Sequence, residues 1–223
     1  FGEPDPDGRV IAASAVKLLA PILPSKIIGI GKNYADHAAE MKSELPAEPL
    51  MFLKPSTAVI GPGEVITLPN QSSMVHHEAE LAVVIGRFCK DVPRDRVSEV
   101  ILGFTCANDV SARDVQESDV QWSRAKGFDT FCPLGPWIET DLDPSDLAVT
   151  AYVGDDLRQS GNTKNMIFSA VDLVSFVSHQ MTLLPGDVIL TGTPAGVGPI
   201  VSGDEVEVAI EGIGSLVNTV QRA

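Results

Sequence analysis

Hydrophobic residues fall mostly into short runs along this chain, and Gly and Pro residues separate the runs. Runs of about four to eight aliphatic and β-branched residues between such turn residues are typical of β-strands. The pattern predicts strands at residues 26–30, 51–55, 65–68, 76–86, 100–107, 147–153, 188–190, 205–210 and 215–220. We therefore expect a protein built mainly from short strands.

Two stretches predict helices. Ser169 and Asp172 form a capping-box pattern at the start of an apolar stripe with helical spacing. That stripe consists of Val171, Val174, Phe176, Val177 and Met181. A shorter helix is predicted after Gly31, with Asn33 as its N-cap and Asp36 three residues later. Many short strands with few helices predict a β-rich α+β fold, in which a rolled or sandwiched mixed sheet carries peripheral helices.

Length and composition indicate how many domains the chain forms. Its 223 residues are 44% hydrophobic, which suffices for one sizeable core. Residues 1–20 are weakly patterned and contain several Gly and Pro residues. We expect them to form a short N-terminal segment before a single domain at residues 21–223. Because the first residue is Phe, we also expect that part of the N-terminus is missing.

The formal net charge is −14, which argues against binding to nucleic acid or to anionic membranes. A small anionic substrate stays possible, because a bound cation can reverse the field inside a pocket. The three cysteines, Cys89, Cys106 and Cys132, have no CxxC spacing and are predicted to be free thiols in a reducing cytoplasm. No apolar run reaches the length of a transmembrane helix.

Two glutamates lie in the predicted strand at residues 76–86. Side chains alternate between the faces of a strand, so Glu78 and Glu80 share one face at a spacing of roughly 6.6 Å. The strand is otherwise apolar, and two buried acids without partners would cost several kcal/mol each. A divalent cation would remove that cost. The alternative is a solvent-facing strand end with two surface acids, and the strand alone does not decide between them.

A third acidic position follows the predicted strand at residues 100–107. If the next turn is helical, Asp109, Arg113 and Gln116 share one face. They would then offer a carboxylate to a cation, a guanidinium to a substrate carboxylate, and an amide. An N-capping Asp with a surface Asp–Arg pair is the alternative. Lys126 is a candidate for a further anion contact, although a solvated lysine is the default interpretation of the pattern.

His37 and Glu40 stand three residues apart on the shorter predicted helix and share a face. A carboxylate in that position holds an imidazole in one tautomer and raises its basicity, which suits a general base. A surface His beside a surface Glu is the alternative.

Two loops also have informative sequences. Residues 191–198 are Gly-rich with two threonines, and such a loop exposes backbone N–H groups that can hold a carboxylate or phosphate. Residues 133–137 contain two prolines and a glycine, and are predicted to form irregular backbone under the ring of Trp137.

Several of these signals occur together in a fixed order. The segments are GKNYADHAAEM, FLKPS, HHEAELAVVIG, GFTCANDVSARDVQ, AKGFDTFCPLGPW and TGTPAGVG. Together they resemble the fumarylacetoacetate hydrolase family, in its short prokaryotic and mitochondrial branch. The resemblance covers about residues 21–223 and implies the β-roll fold of that family, usually in a homodimer. The N-terminal segment is shorter here than in many members.

The resemblance also implies which residues form the site. It implies a Mg²⁺ or Mn²⁺ site made by Glu78, Glu80 and Asp109. The His37–Glu40 pair matches a catalytic dyad that this branch carries on a lid ordered by ligand. The positions that match the family's substrate pocket are Arg113, Gln116, Lys126 and Thr193, of which Lys126 is also a candidate catalytic residue.

The chemistry of these residues fits a 2-oxo acid. Three carboxylates form a hard oxygen site that favours Mg²⁺ or Mn²⁺ over zinc, and the ion would stabilise the enolate of pyruvate as the bond to C3 breaks. Arg113 or Lys126 would hold a substrate oxyanion. For hydrolysis, His37 oriented by Glu40 would take a proton from the attacking water. The preferred function is a metal-dependent hydrolase of acylpyruvates such as fumarylpyruvate or acetylpyruvate.

Other activities stay open, because family members with nearly these residues catalyse them. One is decarboxylation of oxaloacetate or related diacids, in which the dyad would only bind substrate or deliver a proton. Another is isomerisation or decarboxylation of 2-hydroxyhepta-2,4-diene-1,7-dioate in aromatic breakdown. Non-enzymatic alternatives are a protein that binds a metal–oxo-acid complex and a structural dimer with a stabilising ion. The intact dyad argues against the binding protein, which needs no general base, and the structural dimer predicts that His37→Ala affects only local order.

Overall fold

The computed structural model describes residues 7–42 and 44–223. The strands are β1 (Ile27–Gly31), β2 (Leu50–Lys54), β3 (Val59–Ile60), β4 (Val65–Leu68), β5 (Val75–His77), β6 (Ala79–Ile85), β7 (Ile101–Asn108), β8 (Ser111–Ala112), β9 (Cys132–Glu139), β10 (Ala148–Val153), β11 (Asp156–Asn162), β12 (Val188–Leu190), β13 (Gly198–Pro199), β14 (Glu205–Ile210) and β15 (Gly214–Arg222). The helices are α1 (Ala35–Glu40), α2 (Arg113–Ser118), α3 (Ser123–Lys126) and α4 (Ala170–Gln180). Short 3-10 turns occur at 13–15, 56–58, 94–99 and 163–165.

The strands form three sheets. The largest has the order β2-β1-β12-β6-β7-β9-β3, the second has the order β11-β10-β14-β15-β4, and a small one has the order β13-β5-β8. The largest sheet is mixed, since β1 pairs with β12 in parallel while β12 and β6 are antiparallel. The prediction of a β-rich fold with a mixed, curled sheet and few short helices is confirmed.

Strand β6 lies inside the core with both faces covered. Leu81, Val83 and Ile85 point into the main apolar cluster, together with residues of β10, β14 and α4. Ala82 and Val84 point the other way, into a second cluster. Every residue of β6 is buried, so the acidic side chains at its start lie in the interior rather than at a wet strand end.

Helix α4 agrees with the sequence-based prediction. Ser169 is its N-cap, and Ser169 and Asp172 each accept from the other's backbone, which completes the capping box. The predicted apolar stripe packs against the main core, where Val174 and Val177 are fully buried. Among the residues that the structure describes, no helix has the length and apolar character needed to span a membrane.

Three local predictions were wrong. The strand expected at residues 76–86 is interrupted at Glu78, which separates β5 from β6. Asn33 is not the N-cap of α1, because the N-cap is Tyr34. The Asn33 side chain instead donates to the Thr191 and Phe168 carbonyls and accepts from Phe168 N, so a tertiary contact replaces the cap. Residues 133–137 belong to strand β9 rather than to irregular backbone, and Trp137 is 51% exposed.

The predicted division of the chain at residue 20 stays a prediction. The first six residues of the predicted N-terminal segment lie outside the described residues. Within the described part of that segment, Val10 and Leu19 are exposed, and a 3-10 turn covers residues 13–15.

Candidate functional site

Three carboxylates converge in the interior. One oxygen from each of Glu78, Glu80 and Asp109 lies within 4.8 Å of the others, and all three residues are buried. Their chain positions explain the convergence. Glu78 lies at the break before β6, Glu80 lies in β6, and Asp109 directly follows β7, which pairs with β6.

The break at Glu78 is held by the neighbouring strand. The Asn108 side chain accepts from Glu78 N at 2.9 Å, and Asp109 N donates to Glu78 O at 2.9 Å. Because β6 and β7 are antiparallel with Ala79 opposite Asn108, Glu78, the residue before Ala79, lies beside Asp109, the residue after Asn108. The register therefore brings the two glutamates and the aspartate together.

Three cations balance these acids. Lys54 Nζ donates to Asp109 Oδ1 at 2.5 Å. Lys126 Nζ donates to Asp109 Oδ2 at 2.5 Å and to Glu78 Oε2 at 2.8 Å. An Arg113 amino group forms an ion pair with Glu78 Oε1 at 2.5 Å. All three cations are buried, so this is an interior cluster with equal numbers of acidic and basic groups.

The two glutamates differ electrostatically. Burial raises the pKa of Glu80 well above its usual value, and the nearby Asp109 and Glu78 carboxylates raise it further. Burial also acts to raise the pKa of Glu78, but Arg113 and Lys126 outweigh it and lower that pKa below its usual value. Among the described residues no cation is paired with Glu80, whose Oε2 accepts from Gly192 N at 2.6 Å. Glu80 is therefore the acid that gains most from an added cation.

These residues fit a hard divalent metal ion. All three candidate ligands are carboxylate oxygens, which suit Mg²⁺ or Mn²⁺ rather than zinc. A cation beside Glu80 would remove the cost that burial imposes on its ionised form.

The predicted dyad lies on α1. His37 Nδ1 is 3.1 Å from Glu40 Oε2, and His37 is only 5% exposed, so it is not a surface residue. Glu40 also accepts from Gly196 N at 3.0 Å, which ties α1 to the Gly-rich loop. The carboxylate can therefore orient the imidazole while the loop orients the carboxylate.

The metal candidates and His37 of the dyad line the same cavity of about 200 Å³. Its polar lining includes His37, Glu78, Glu80, Asp109, Arg113, Gln116, Lys126 and Thr193. Its apolar wall includes Phe52 and Trp122, whose rings contact edge to face at 5.6 Å. The cavity is therefore lined by both charged and aromatic side chains.

Two glycines of β1 make room for those rings. A Cβ atom on Gly29 would lie 2.2 Å from the Phe52 ring, and one on Gly31 would lie 2.7 Å from the Trp122 ring. The Gly-x-Gly spacing in β1 therefore serves aromatic packing against the strand.

The structure brings the predicted site residues together, but some of them lie on other secondary-structure elements than predicted. Asp109 does not share a helix face with Arg113, because β8 intervenes and α2 begins at Arg113. Arg113 and Gln116 do share a face of α2, where Arg113 donates to the Gln116 side chain at 2.9 Å. The interpretation of Lys126 as a solvated lysine is wrong, since it is buried and ion-paired.

The sequence-based prediction missed three residues at this site. Lys54 contacts Asp109, Trp122 forms a cavity wall, and Gln159 contacts Thr193. Lys54 had a usable signal. It stands two residues after the apolar Phe52 in a short strand, so the two side chains share one face, and that face is buried. Trp122 and Gln159 lie in segments without a chemical motif, and only tertiary contacts place them here.

Comparison with known proteins identifies the family of the chain. Residues 26–221 match the model of the fumarylacetoacetate (FAA) hydrolase C-terminal family. Protein Rv2993c of Mycobacterium tuberculosis is 58% identical over all of this chain and 85% of its own length. The human mitochondrial oxaloacetate tautomerase is 44% identical over 95% of this chain and 71% of its own length.

Solved structures show the same fold. The 2-hydroxyhepta-2,4-diene-1,7-dioate isomerase of Mycobacterium marinum has a TM-score of 0.93 and 54% identity, over 99% of this chain and 84% of its own. The maleylpyruvate hydrolase of Sphingobium sp. SYK-6, in complex with manganese(II) and pyruvate, has a TM-score of 0.83 and 38% identity, over 96% of this chain and 76% of its own. With the match to the family model, these similarities show that the chain belongs to the fumarylacetoacetate hydrolase family.

Proposed function

We propose that this chain is a divalent-metal-dependent enzyme that moves a proton at C3 of a small 2-oxo diacid, with keto–enol interconversion of an oxaloacetate-type acid as the leading reaction. The charge of the site carries the proposal. Three cations balance three carboxylates, so a divalent ion would add a net charge of +2 to the cavity. A doubly charged ligand matches that excess. The 44% identity to an oxaloacetate tautomerase supports this choice of reaction.

Glu78, Glu80 and Asp109 would hold Mg²⁺ or Mn²⁺, and the ion would polarise the keto group of the substrate as a Lewis acid. Arg113 would hold a substrate carboxylate, since its Nε has no hydrogen-bond partner among the described residues. Burial acts to lower the pKa of Lys126, but Asp109 and Glu78 outweigh it and raise that pKa. Lys126 therefore stays charged and would stabilise developing negative charge on a substrate oxygen.

His37 would carry the proton. Glu40 engages Nδ1, which leaves Nε2 for the substrate. In the keto-to-enol direction His37 would take the proton from C3 and leave an enolate, whose oxygen would then take a proton from the protonated His37 or from water to become the enol hydroxyl; in the reverse direction that hydroxyl would lose its proton and His37 would return one to C3. Glu40 would keep the ring in the required tautomer throughout.

Acylpyruvate hydrolysis is the second candidate. The Sphingobium relative is named a maleylpyruvate hydrolase, and its structure contains manganese and pyruvate. In this reaction His37 would take its proton from water rather than from C3. Decarboxylation and diene-dioate isomerisation would use the same groups, and the Mycobacterium marinum relative bears the isomerase name.

A paired turnover assay tests these proposals. Protein loaded with Mg²⁺ or Mn²⁺ would receive enol-oxaloacetate, fumarylpyruvate and acetylpyruvate separately. We expect metal-dependent acceleration of oxaloacetate ketonisation that falls about 100-fold or more in His37→Ala. His179→Ala is the matched control, because His179 is exposed on α4, and it should keep full activity. Faster release of pyruvate from an acylpyruvate would favour the hydrolase. Metal-dependent binding of all three acids without turnover of any would instead support a binding protein.

We also infer that two copies of the chain associate as a homodimer, as the family resemblance implies. Strand β2 is an edge strand of the largest sheet, and it exposes the apolar side chains of Leu50 and Leu53. A second copy would remove this apolar surface from water. Light scattering coupled to gel filtration should give twice the chain mass, and a monomer mass would contradict the inference.

A further inference from the structure

One buried amide beside the cavity has no part in the proposed chemistry. Gln159 lies in β11 and is fully buried. Its Oε1 accepts from Ala79 N at 2.9 Å, and its Nε2 donates to Pro194 O at 2.7 Å. A backbone N–H only donates and a backbone carbonyl only accepts. These two partners therefore fix which end of the amide is oxygen.

The amide in turn fixes the hydroxyl of Thr193. Gln159 Nε2 lies 2.7 Å from Thr193 Oγ1, and an amide nitrogen can only donate, so the hydroxyl oxygen accepts there. The hydroxyl donates its single hydrogen to Ala79 O at 2.8 Å. A hydroxyl has one hydrogen and two acceptor positions. What Thr193 can still offer is one acceptor position, and Thr193 lines the cavity.

His77 strengthens this arrangement. His77 is fully buried, and its Nδ1 lies 3.0 Å from Gln159 Oε1. Because that oxygen can only accept, Nδ1 carries the hydrogen. Turning the Gln159 amide over would break its bonds to Ala79, Pro194 and His77 together, so the amide is held in one orientation.

We propose that Gln159 is a positioning residue that, together with the Ala79 carbonyl, holds Thr193 as a hydrogen-bond acceptor toward the ligand, so that this wall of the cavity selects a ligand hydroxyl over a carboxylate oxygen. An enol hydroxyl or a 2-hydroxy group can donate to Thr193. A carboxylate oxygen at the same place has no hydrogen to donate, so it would face the Thr193 oxygen without a hydrogen bond. The inference rests on the proposed function for a metal-held oxo acid in the cavity, and it adds a preference for the enol form.

Two small ligands test the preference directly. Glycolate and oxalate can each chelate a metal ion through two oxygens in a five-membered ring, but only glycolate carries a hydroxyl. Calorimetry with Mn²⁺-loaded protein would give the affinity ratio of glycolate to oxalate. We expect this ratio to fall about tenfold in Gln159→Met, because the Thr193 hydroxyl is then held by Ala79 O alone and can turn to donate to a carboxylate oxygen, and about equally in Thr193→Val. The double variant should fall no further than Thr193→Val alone.

Control variants separate positioning from general loss of stability. Asn218 is also buried and donates to two backbone carbonyls, of Gly61 and Glu64, outside the cavity lining. Asn218→Leu should lower the melting temperature and leave the affinity ratio unchanged. Thr193→Ser keeps the hydroxyl and should keep the wild-type ratio, which tests the proposal even if Gln159→Met fails to fold.

The possible failures are distinguishable. If both ligands bind but Gln159→Met and Thr193→Val keep the wild-type ratio, the positioning role of Gln159 is wrong and the proposed function stands. If neither ligand binds the Mn²⁺-loaded wild-type protein, the proposed function fails and this inference fails with it.

Discussion

Two buried polar networks meet at the break between β5 and β6, and they are built in different ways. The first, the charged network, joins Glu78, Glu80 and Asp109 to Lys54, Lys126 and Arg113, and nearly all of its partners are side chains. The second, the neutral network, centres on Gln159 and relies on backbone groups of Ala79 and Pro194. Side chains can exchange partners when a cation enters, whereas fixed backbone groups cannot. The charged network is thus suited to binding, and the neutral network to holding the cavity wall in place.

Removing a partner should cost more stability in the charged network than in the neutral network. Removing one partner of a buried ion pair typically costs about 3–5 kcal/mol, because an uncompensated charge remains. Leaving a neutral buried group unpaired costs about 1–3 kcal/mol. Substitutions in the charged network should therefore have the larger effects, and those effects should depend on metal.

The largest effect is expected from Glu80→Gln. The substitution removes the one candidate ligand that lacks a paired cation among the described residues, so Mn²⁺ affinity should fall about 100-fold or more. Titration calorimetry measures it. Asp187→Asn is the matched control, because Asp187 is a fully buried carboxylate that pairs with Lys26 away from the cavity. The control should lose stability and keep its metal affinity. Equal metal affinity in Glu80→Gln and wild type would remove Glu80 from the site.

Lys54→Met should give the next largest effect. Without metal, Asp109 loses a partner at 2.5 Å, and we expect the free energy of unfolding to drop by about 3–5 kcal/mol. Saturating Mg²⁺ should restore more stability to this variant than it adds to wild type, since the ion supplies the missing positive charge. Urea unfolding with Mg²⁺ and with a chelator gives both values. Lys26→Met breaks an ion pair outside the cavity and should show no such rescue. An identical Mg²⁺ increment in Lys54→Met and wild type would mean that Lys54 does not share the charge of the metal site.

A smaller effect is expected at the aromatic residues that line the cavity. In Gly31→Ala the new methyl group would meet the Trp122 ring at 2.7 Å, so the free energy of unfolding should fall by about 1–3 kcal/mol. Thermal unfolding followed by Trp fluorescence measures the loss. Combining it with Trp122→Ala removes the clash, and the double variant should be no less stable than Trp122→Ala alone. Additive losses would show that the glycine is needed for another reason.

The smallest effect is expected outside both networks, at Asp114 on α2. Burial acts to raise the pKa of Asp114, but hydrogen bonds from Ser72, Ser73 and Val115 outweigh it and lower that pKa to about 2. A lowered pKa stabilises the fold above the unfolded value of about 3.9, and the gain disappears as pH falls through about 2. Asp114→Ala should therefore cost about 1 kcal/mol at pH 7, with the difference from wild type shrinking steadily below pH 4. A difference that stays constant from pH 7 to pH 2.5 would contradict this assignment.

The sequence predicted the features that depend on residues close together in the chain. The capping box placed the start of α4, and strand alternation predicted that Glu78 and Glu80 lie close together, although the strand itself breaks at Glu78. Long-range pairing explains the errors. Asp109 was predicted to share a helix with Arg113, but β8 pairs with β5 and delays the helix to Arg113.

The same limit applies to single side chains. Asn33 is a good N-cap residue by propensity. Its side-chain amide instead donates to the backbone carbonyls of Phe168 and Thr191, which are more than 130 residues away in the chain. Gln159 has no local motif, and the only local signal for Lys54 is its place two residues after the buried Phe52 in β2. Their partners, Asp109 and Thr193, come from distant strands and loops, so only the folded chain identifies them.

The most direct test of the metal centre is a crystal soaked with Mn²⁺ and measured for anomalous scattering. One anomalous peak should lie within about 2.0–2.3 Å of an oxygen from each of Glu78, Glu80 and Asp109. A peak elsewhere, or none at this cluster under saturating Mn²⁺, would contradict the assignment of these three carboxylates as metal ligands and the proposed chemistry that depends on it.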